Sequence, residues 1–102
     1  MASKPVVFHP GAAQEIDEAL EWYRERSVAA EEGFLAELGH AIEQVALGPL
    51  RWPRYRANTR RYVFRLYPYS LVYRSYPDVV RVLAVAHDRR REGYWVSRTA
   101  TH

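Results

Sequence analysis

Residues 60–87, RRYVFRLYPYSLVYRSYPDVVRVLAVAH, decide the fold. The stretch divides into three strand-like runs. Arg60 to Leu66 alternates, with Tyr62, Phe64 and Leu66 on one face and Arg61, Val63 and Arg65 on the other. Tyr67-Pro68-Tyr69 marks a turn, and Ser70 to Tyr76 is the second run. Pro77-Asp78 marks the next turn. Val80 to His87 is the third run, with Val80, Val82, Ala84 and Ala86 on one side and Arg81, Leu83, Val85 and His87 on the other. Turns this short predict an antiparallel meander.

Upstream, the period changes from two to about 3.6. Residues 4–9, KPVVFH, read as a short strand that Pro10-Gly11 ends. From Ala12 to about Arg26, Ala13, Ile16, Ala19, Leu20 and Tyr23 recur at helical spacing. Glu15, Asp17, Glu18, Glu21 and Glu25 fall on the opposite face and read as solvated. Ser27 to about Ala30 is a turn, and a second helix runs from about Glu31 to Leu47 with Phe34, Leu35, Leu38, Ile42 and Val45 as its stripe. Gly48-Pro49 stops it, and a loop with Pro53 and three arginines leads to the strands. Two amphipathic helices with a short connection form an antiparallel hairpin. The order β-α-α-β-β-β segregates helices from strands, which is the α+β class. The expected architecture is an N-terminal strand and an antiparallel helix hairpin packed on an antiparallel sheet. Ala84 and Ala86 are small and are expected to leave room for the hairpin.

The length of 102 residues fits one domain, expected over 1–96, with 97–102 as a loose C-terminal tail. A composition of 48% hydrophobic and 26% charged residues excludes wholesale disorder. No cysteine means no disulfide frame and no thiolate zinc site, and the cytoplasm is the expected compartment. No apolar run approaches a membrane span, and no signal-peptide core precedes the first strand. The net charge of +3 conceals a division. Residues 1–47 hold three basic and nine acidic residues, a balance of −6, while residues 48–102 hold twelve arginines and three acids, a balance of +9. Arginine presents a planar fork that holds phosphate and carboxylate bidentately. The C-terminal half therefore points to a basic surface aimed at something polyanionic.

Strand alternation places Arg61, Arg65, Arg81 and His87 on the sheet face away from the helices, with Arg74 joining them. The segment HDRRREGYW, residues 87–95, adds Arg89, Arg90, Arg91, Tyr94 and Trp95. Arginines hold phosphates, and aromatic rings stack on unpaired bases. The same residue types suffice to cleave RNA without a metal. His87 titrates near neutrality and serves as acid or base, Tyr94 exchanges a proton if arginines lower its pKa, and Arg65, Arg81 and Arg90 stabilise a pentavalent phosphate. Tyr94 and Trp95 equally suit packing of the chain end onto the domain edge, and Arg89 to Arg91 equally suit a solvated run. The sequence contains no GxGxxG and no P-loop, and His9, His40, His87 and His102 lack metal-ligand spacing, so no cofactor and no metal are expected.

With these residues in view, the chain resembles the RelE/ParE superfamily of toxins from bacterial type II toxin–antitoxin modules, grouped also as plasmid-stabilisation proteins. The resemblance runs from about Val6 to Trp95 through FHPGAAQEIDEALEWY, RWPRYR, RRYVFRLYPYSLVYR and VRVLAVAHDRRREGYW. It implies the same small α+β fold. It also implies one of two targets. RelE-like members cut mRNA in the ribosomal A site without a metal, whereas ParE-like members inhibit DNA gyrase and are not nucleases. The RelE-like pattern of an arginine followed four positions later by a tyrosine is matched by Arg90 and Tyr94, and its central-strand arginine by Arg65 or Arg74. RelE-like lysines in the loop before the sheet are replaced here by Arg51, Arg54 and Arg56.

The resulting expectation is a growth-arresting toxin acting by ribosome-dependent, metal-independent mRNA cleavage, with His87, Arg90 and Tyr94 at the scissile phosphate. Arg61, Arg65, Arg74, Arg81 and Arg89 are expected to bind nucleic acid or target. The alternative is a ParE-like, non-enzymatic gyrase inhibitor. Either reading implies a cognate antitoxin whose acidic C-terminal segment meets the arginines.

Overall fold

In the computed structural model, residues 3–100 are described. The elements are β1 (Val6–Phe8), α1 (Pro10–Arg24), α2 (Val28–Leu47), β2 (Arg54–Tyr55), β3 (Thr59–Val63), β4 (Tyr69–Ser75), β5 (Val80–His87) and a 3-10 turn, Val96–Ala100. The strands form one sheet in the order β1-β5-β4-β3-β2. The meander β3–β4–β5 is antiparallel as the turns predict. The N-terminal strand joins the same sheet parallel to β5, pairing Val6 with Val80 and Phe8 with Val82, so the sheet is mixed. The α+β architecture, an N-terminal strand and a helix hairpin against the sheet, is the one read from the sequence.

Both helices start earlier than their apolar periodicity suggests, because their caps lie upstream of it. Pro10 opens α1 instead of ending β1. It occupies the first turn, where no N–H is required, and the His9 ring accepts a hydrogen bond from Gly11 N at 2.9 Å. Ser27 caps α2 in the same way, its hydroxyl accepting from Ala30 N at 2.9 Å. The residues expected as a turn between the helices are thus the first turn of α2.

One irregularity in β5 changes which side chains face which way. Val72 pairs with Ala84, but Tyr73 pairs with Val82, so Leu83 has no partner in β4. A bulge of this kind interrupts strict alternation. Val82 and Val85 both pack in the helix-side core with Phe34, Leu71 and Tyr73. Ala84 and Ala86 face the other side, where Ala84 and Val72 enclose the Trp95 indole. The expectation that Ala84 and Ala86 leave room for the hairpin is corrected: they leave room for Trp95, which is 1% exposed. His87 shifts with the bulge as well. It pairs with Tyr69, and its ring meets the Tyr69 ring edge-on at 5.0 Å.

Two turns remove further arginines from the predicted face. β3 ends at Val63, and the Glu37 carboxylate of α2 accepts hydrogen bonds from Arg65 N at 2.7 Å, Leu66 N at 3.0 Å and Tyr67 N at 3.1 Å. Arg65 is therefore a turn residue. The β2–β3 turn places Ala57 and Asn58 at φ 58° and 57°. Arg74 holds that turn by donating to the carbonyls of Ala57 and Asn58. At the chain end, where residues 97–102 were expected as a tail, Val96–Ala100 is a 3-10 turn whose Arg98 pairs with Glu15 at 3.1 Å; residues 101–102 lie outside the described residues. Among the described residues no helix is long and apolar enough to cross a membrane.

Candidate functional site

The segment after β5 folds back over the sheet and makes a cleft. Asp88 N donates to Pro68 O, Arg90 N to His87 O and Tyr94 N to Arg91 O, so successive tight turns carry residues 88–95 across the end of β4. Gly93 sits at φ 80°, in the left-handed region that a side chain resists. The cleft has a volume of about 350 Å³. Tyr55, Tyr94 and Trp95 give it aromatic walls, and Arg61, Arg90, Arg91 and His87 give it charge and hydrogen-bonding groups. The Arg61 guanidinium lies over the Tyr55 ring at 4.2 Å, and that of Arg90 over the Tyr94 ring at 3.9 Å. Stacking leaves the guanidinium N–H edges available to a ligand. Among the described residues, neither arginine forms an ion pair, whereas Glu92 on the rim is taken by Arg56 at 3.1 Å and by the Tyr55 hydroxyl at 3.0 Å.

Behind the cleft stands a buried carboxylate. Glu15 is 9% exposed and lies on the sheet-facing side of α1 with Ala12, Ala19 and Tyr23. Its Oε1 accepts from Val85 N at 3.0 Å and Arg98 Nη1 at 3.2 Å. Its Oε2 accepts from the Tyr94 hydroxyl at 2.7 Å and Arg98 Nη2 at 3.1 Å. Arg98 Nη1 also donates to Leu83 O at 3.0 Å, the carbonyl of the bulge residue. Four donors thus meet one carboxylate, which satisfies the requirement that a buried charge be paired and hydrogen-bonded.

This geometry bears directly on chemistry. Burial, then the hydrogen bond and charge of Glu15, push the Tyr94 phenol well above its ordinary value, and Arg90 and Arg98 only partly oppose this. The phenol stays protonated and its proton is committed to Glu15. It is not poised as a base, and the arginines that were expected to lower its pKa do not prevail. The His87 Nδ1 accepts from Arg89 N at 3.0 Å, so that nitrogen is taken by the turn.

Of the residues expected at a site, His87, Arg90, Tyr94 and Arg61 come together in the cleft, with Arg89 exposed beside His87. Arg65 and Arg74 are engaged at separate turns, and Arg81 lines a different cleft with Val7, Phe8 and Tyr76. Glu15, Arg98 and Tyr55 were not singled out as site residues, and Arg91 was named only with the charged run after the last strand. The signal for Glu15 was present: Ala12, Glu15, Ala19 and Tyr23 are spaced by three and four, so the carboxylate sits within the buried stripe.

Comparison with known proteins fixes which branch of the resemblance applies. The sequence model of the ParE toxin of type II toxin-antitoxin system, parDE, matches residues 6–92. No curated protein matches the chain. A solved structure described as the chromosomal ParDE TA system from P. aeruginosa superposes with a TM-score of 0.62 at 16% identity, covering 83% of this chain and 96% of that one. At that identity the likeness speaks for the fold. The family match overturns the expectation of ribosome-dependent mRNA cleavage, because it falls on the ParE side of the resemblance and not the RelE-like side. On the match over residues 6–92, the chain belongs to the ParE toxin family of type II toxin–antitoxin systems.

Proposed function

We propose that this ParE-family toxin arrests growth as a non-nuclease inhibitor of DNA gyrase and is neutralised in the cytoplasm by a cognate antitoxin. The observation that carries the reading is the family match over residues 6–92, since the resemblance assigns gyrase to ParE-like members. The cleft supports it as a binding surface. It offers Arg61, Arg90 and Arg91 without ion-pair partners among the described residues, and the first two lie on aromatic rings. Such a surface selects acidic or phosphate-bearing groups by electrostatic complementarity. In this reading Arg61, Arg89 and Arg90 contact the target and His87 orients it, with no bond made or broken. The toxin domain runs over residues 1–96, and the turn that follows is joined to it by Arg98. The antitoxin covers the same basic surface with an acidic C-terminal segment.

The reading is tested in cells by inducing the protein and following DNA topology and mRNA ends together. Loss of negative supercoiling with unaltered mRNA ends is the expected result. New mRNA ends with normal topology reject it.

A further inference from the structure

Arg90, the residue at the centre of the basic cleft, has no hydrogen bond from its side chain to the rest of the fold among the described residues. Its guanidinium is placed by the Tyr94 ring beneath it, at 3.9 Å. That ring is placed by its hydroxyl, which donates to Glu15 at 2.7 Å. Glu15 in turn is held by Arg98, which reaches it from the C-terminal turn through both guanidinium nitrogens at 3.2 and 3.1 Å. The path of Arg98 is tight. It passes over the first turn of α1 at Gly11, where a Cβ would stand 2.6 Å from the guanidinium carbon. It then anchors on Leu83 O in β5. The chain Arg98, Glu15, Tyr94, Arg90 therefore connects the C-terminal turn to the cleft by direct contacts at each step.

We propose that Glu15 and Arg98 form a latch that positions Arg90 through Tyr94, so that the turn Val96–Ala100 sets the affinity of the basic cleft without touching the ligand. Glu15 and Arg98 are positioning residues, and they rest on the reading of the cleft as the surface that meets the target. Arg98 is also the link of the C-terminal turn to both α1 and β5.

The test uses the full chain and two readouts. The first is the Nε–Hε NMR signal of Arg90, which the Tyr94 ring current displaces while the guanidinium lies over the ring. The latch requires that this displacement collapse in Glu15→Gln and Arg98→Met, each confirmed folded by circular dichroism, and that it persist in the control Arg24→Ala, which breaks an exposed ion pair with Glu31 away from the cleft. An unmoved Arg90 signal in either folded latch variant overturns the proposal. Should Glu15→Gln fail to fold, Arg98→Met and Tyr94→Phe, which keeps the ring and removes its hydroxyl, carry the same test. The second readout is gyrase inhibition in a double-mutant cycle. Glu15→Gln alone is expected to weaken inhibition about tenfold and to add nothing in an Arg90→Ala background, because residues acting through one another are non-additive. Fully additive losses overturn the latch. Absence of gyrase inhibition by the wild type rejects the proposed target, and the Arg90 signal still judges the latch.

Discussion

Glu15 and Arg98 meet at 3.1 Å across 83 residues of chain, one on the first helix and the other on the last turn. Both are largely removed from solvent, with side chains 9% and 19% exposed. A pair this buried is costly to break from one side, because the partner's charge is left without compensation. Glu15→Ala also orphans Val85 N and the Tyr94 hydroxyl. The expected loss is about 3–5 kcal/mol of stability, the range for breaking a buried ion pair. Urea denaturation followed by fluorescence measures it. Replacing Glu18, an exposed neighbour on the same helix, is the control and is expected to change stability by less than about 0.5 kcal/mol.

Gly11 is the gap through which Arg98 passes. An added Cβ would lie 2.6–2.9 Å from three atoms of the guanidinium. Gly11→Ala is expected to favour the helix by propensity and yet to destabilise the protein, by about 1–3 kcal/mol, because the crowding falls on a side chain already fixed at both ends. Pairing the change with Arg98→Ala removes the clash. In the Arg98→Ala background Gly11→Ala is then expected to cost nothing and to keep its gain in helix propensity, and thermal melts of the wild type, the two single variants and the double variant decide the matter.

His9 makes the N-terminal cap of α1 sensitive to pH. Burial, followed by the charges of Arg98 and Arg81, lowers its pKa below the ordinary 6.5. The ring nitrogen must be unprotonated to accept from Gly11 N. A depressed histidine contributes stability that is fully present above pH 6.5 and is lost as the pH falls through the lower folded value, because the unfolded chain takes up the proton first. Melting temperature is therefore expected to drop between pH 7.5 and pH 5 in the wild type. His9→Asn retains a capping acceptor without the titration, so its drop is expected to be smaller. Equal drops contradict this assignment.

Much of the fold was legible because its signals are local. The alternation in residues 60–87, the helical spacing around Phe34 and Leu38, and the Pro and Gly punctuation gave the elements and their order. The bulge at Leu83 was not legible, since a single extra residue leaves a run of Val, Leu and Ala looking like regular alternation. That one slip moved His87 and the small alanines to the opposite faces from those expected. Arg65 and Arg74 were misplaced for a related reason: carboxylate and guanidinium contacts to turns, such as Glu37 on Arg65 N, are long-range and leave no period in the sequence. The cleft itself was partly visible, through Arg90 and Tyr94. Its brace was hidden because Glu15 was read as one more acid on an acidic helix face, although it stands in register with Ala12, Ala19 and Tyr23.

The central claim is that this protein acts by binding gyrase and not by cutting RNA. A supercoiling assay with purified gyrase, relaxed plasmid and the purified, folded toxin tests it most directly. The account requires that supercoiling be blocked in proportion to toxin concentration and that Arg61→Ala and Arg90→Ala, both at folded wild-type-like stability, weaken the block. Undiminished supercoiling at saturating folded toxin contradicts it.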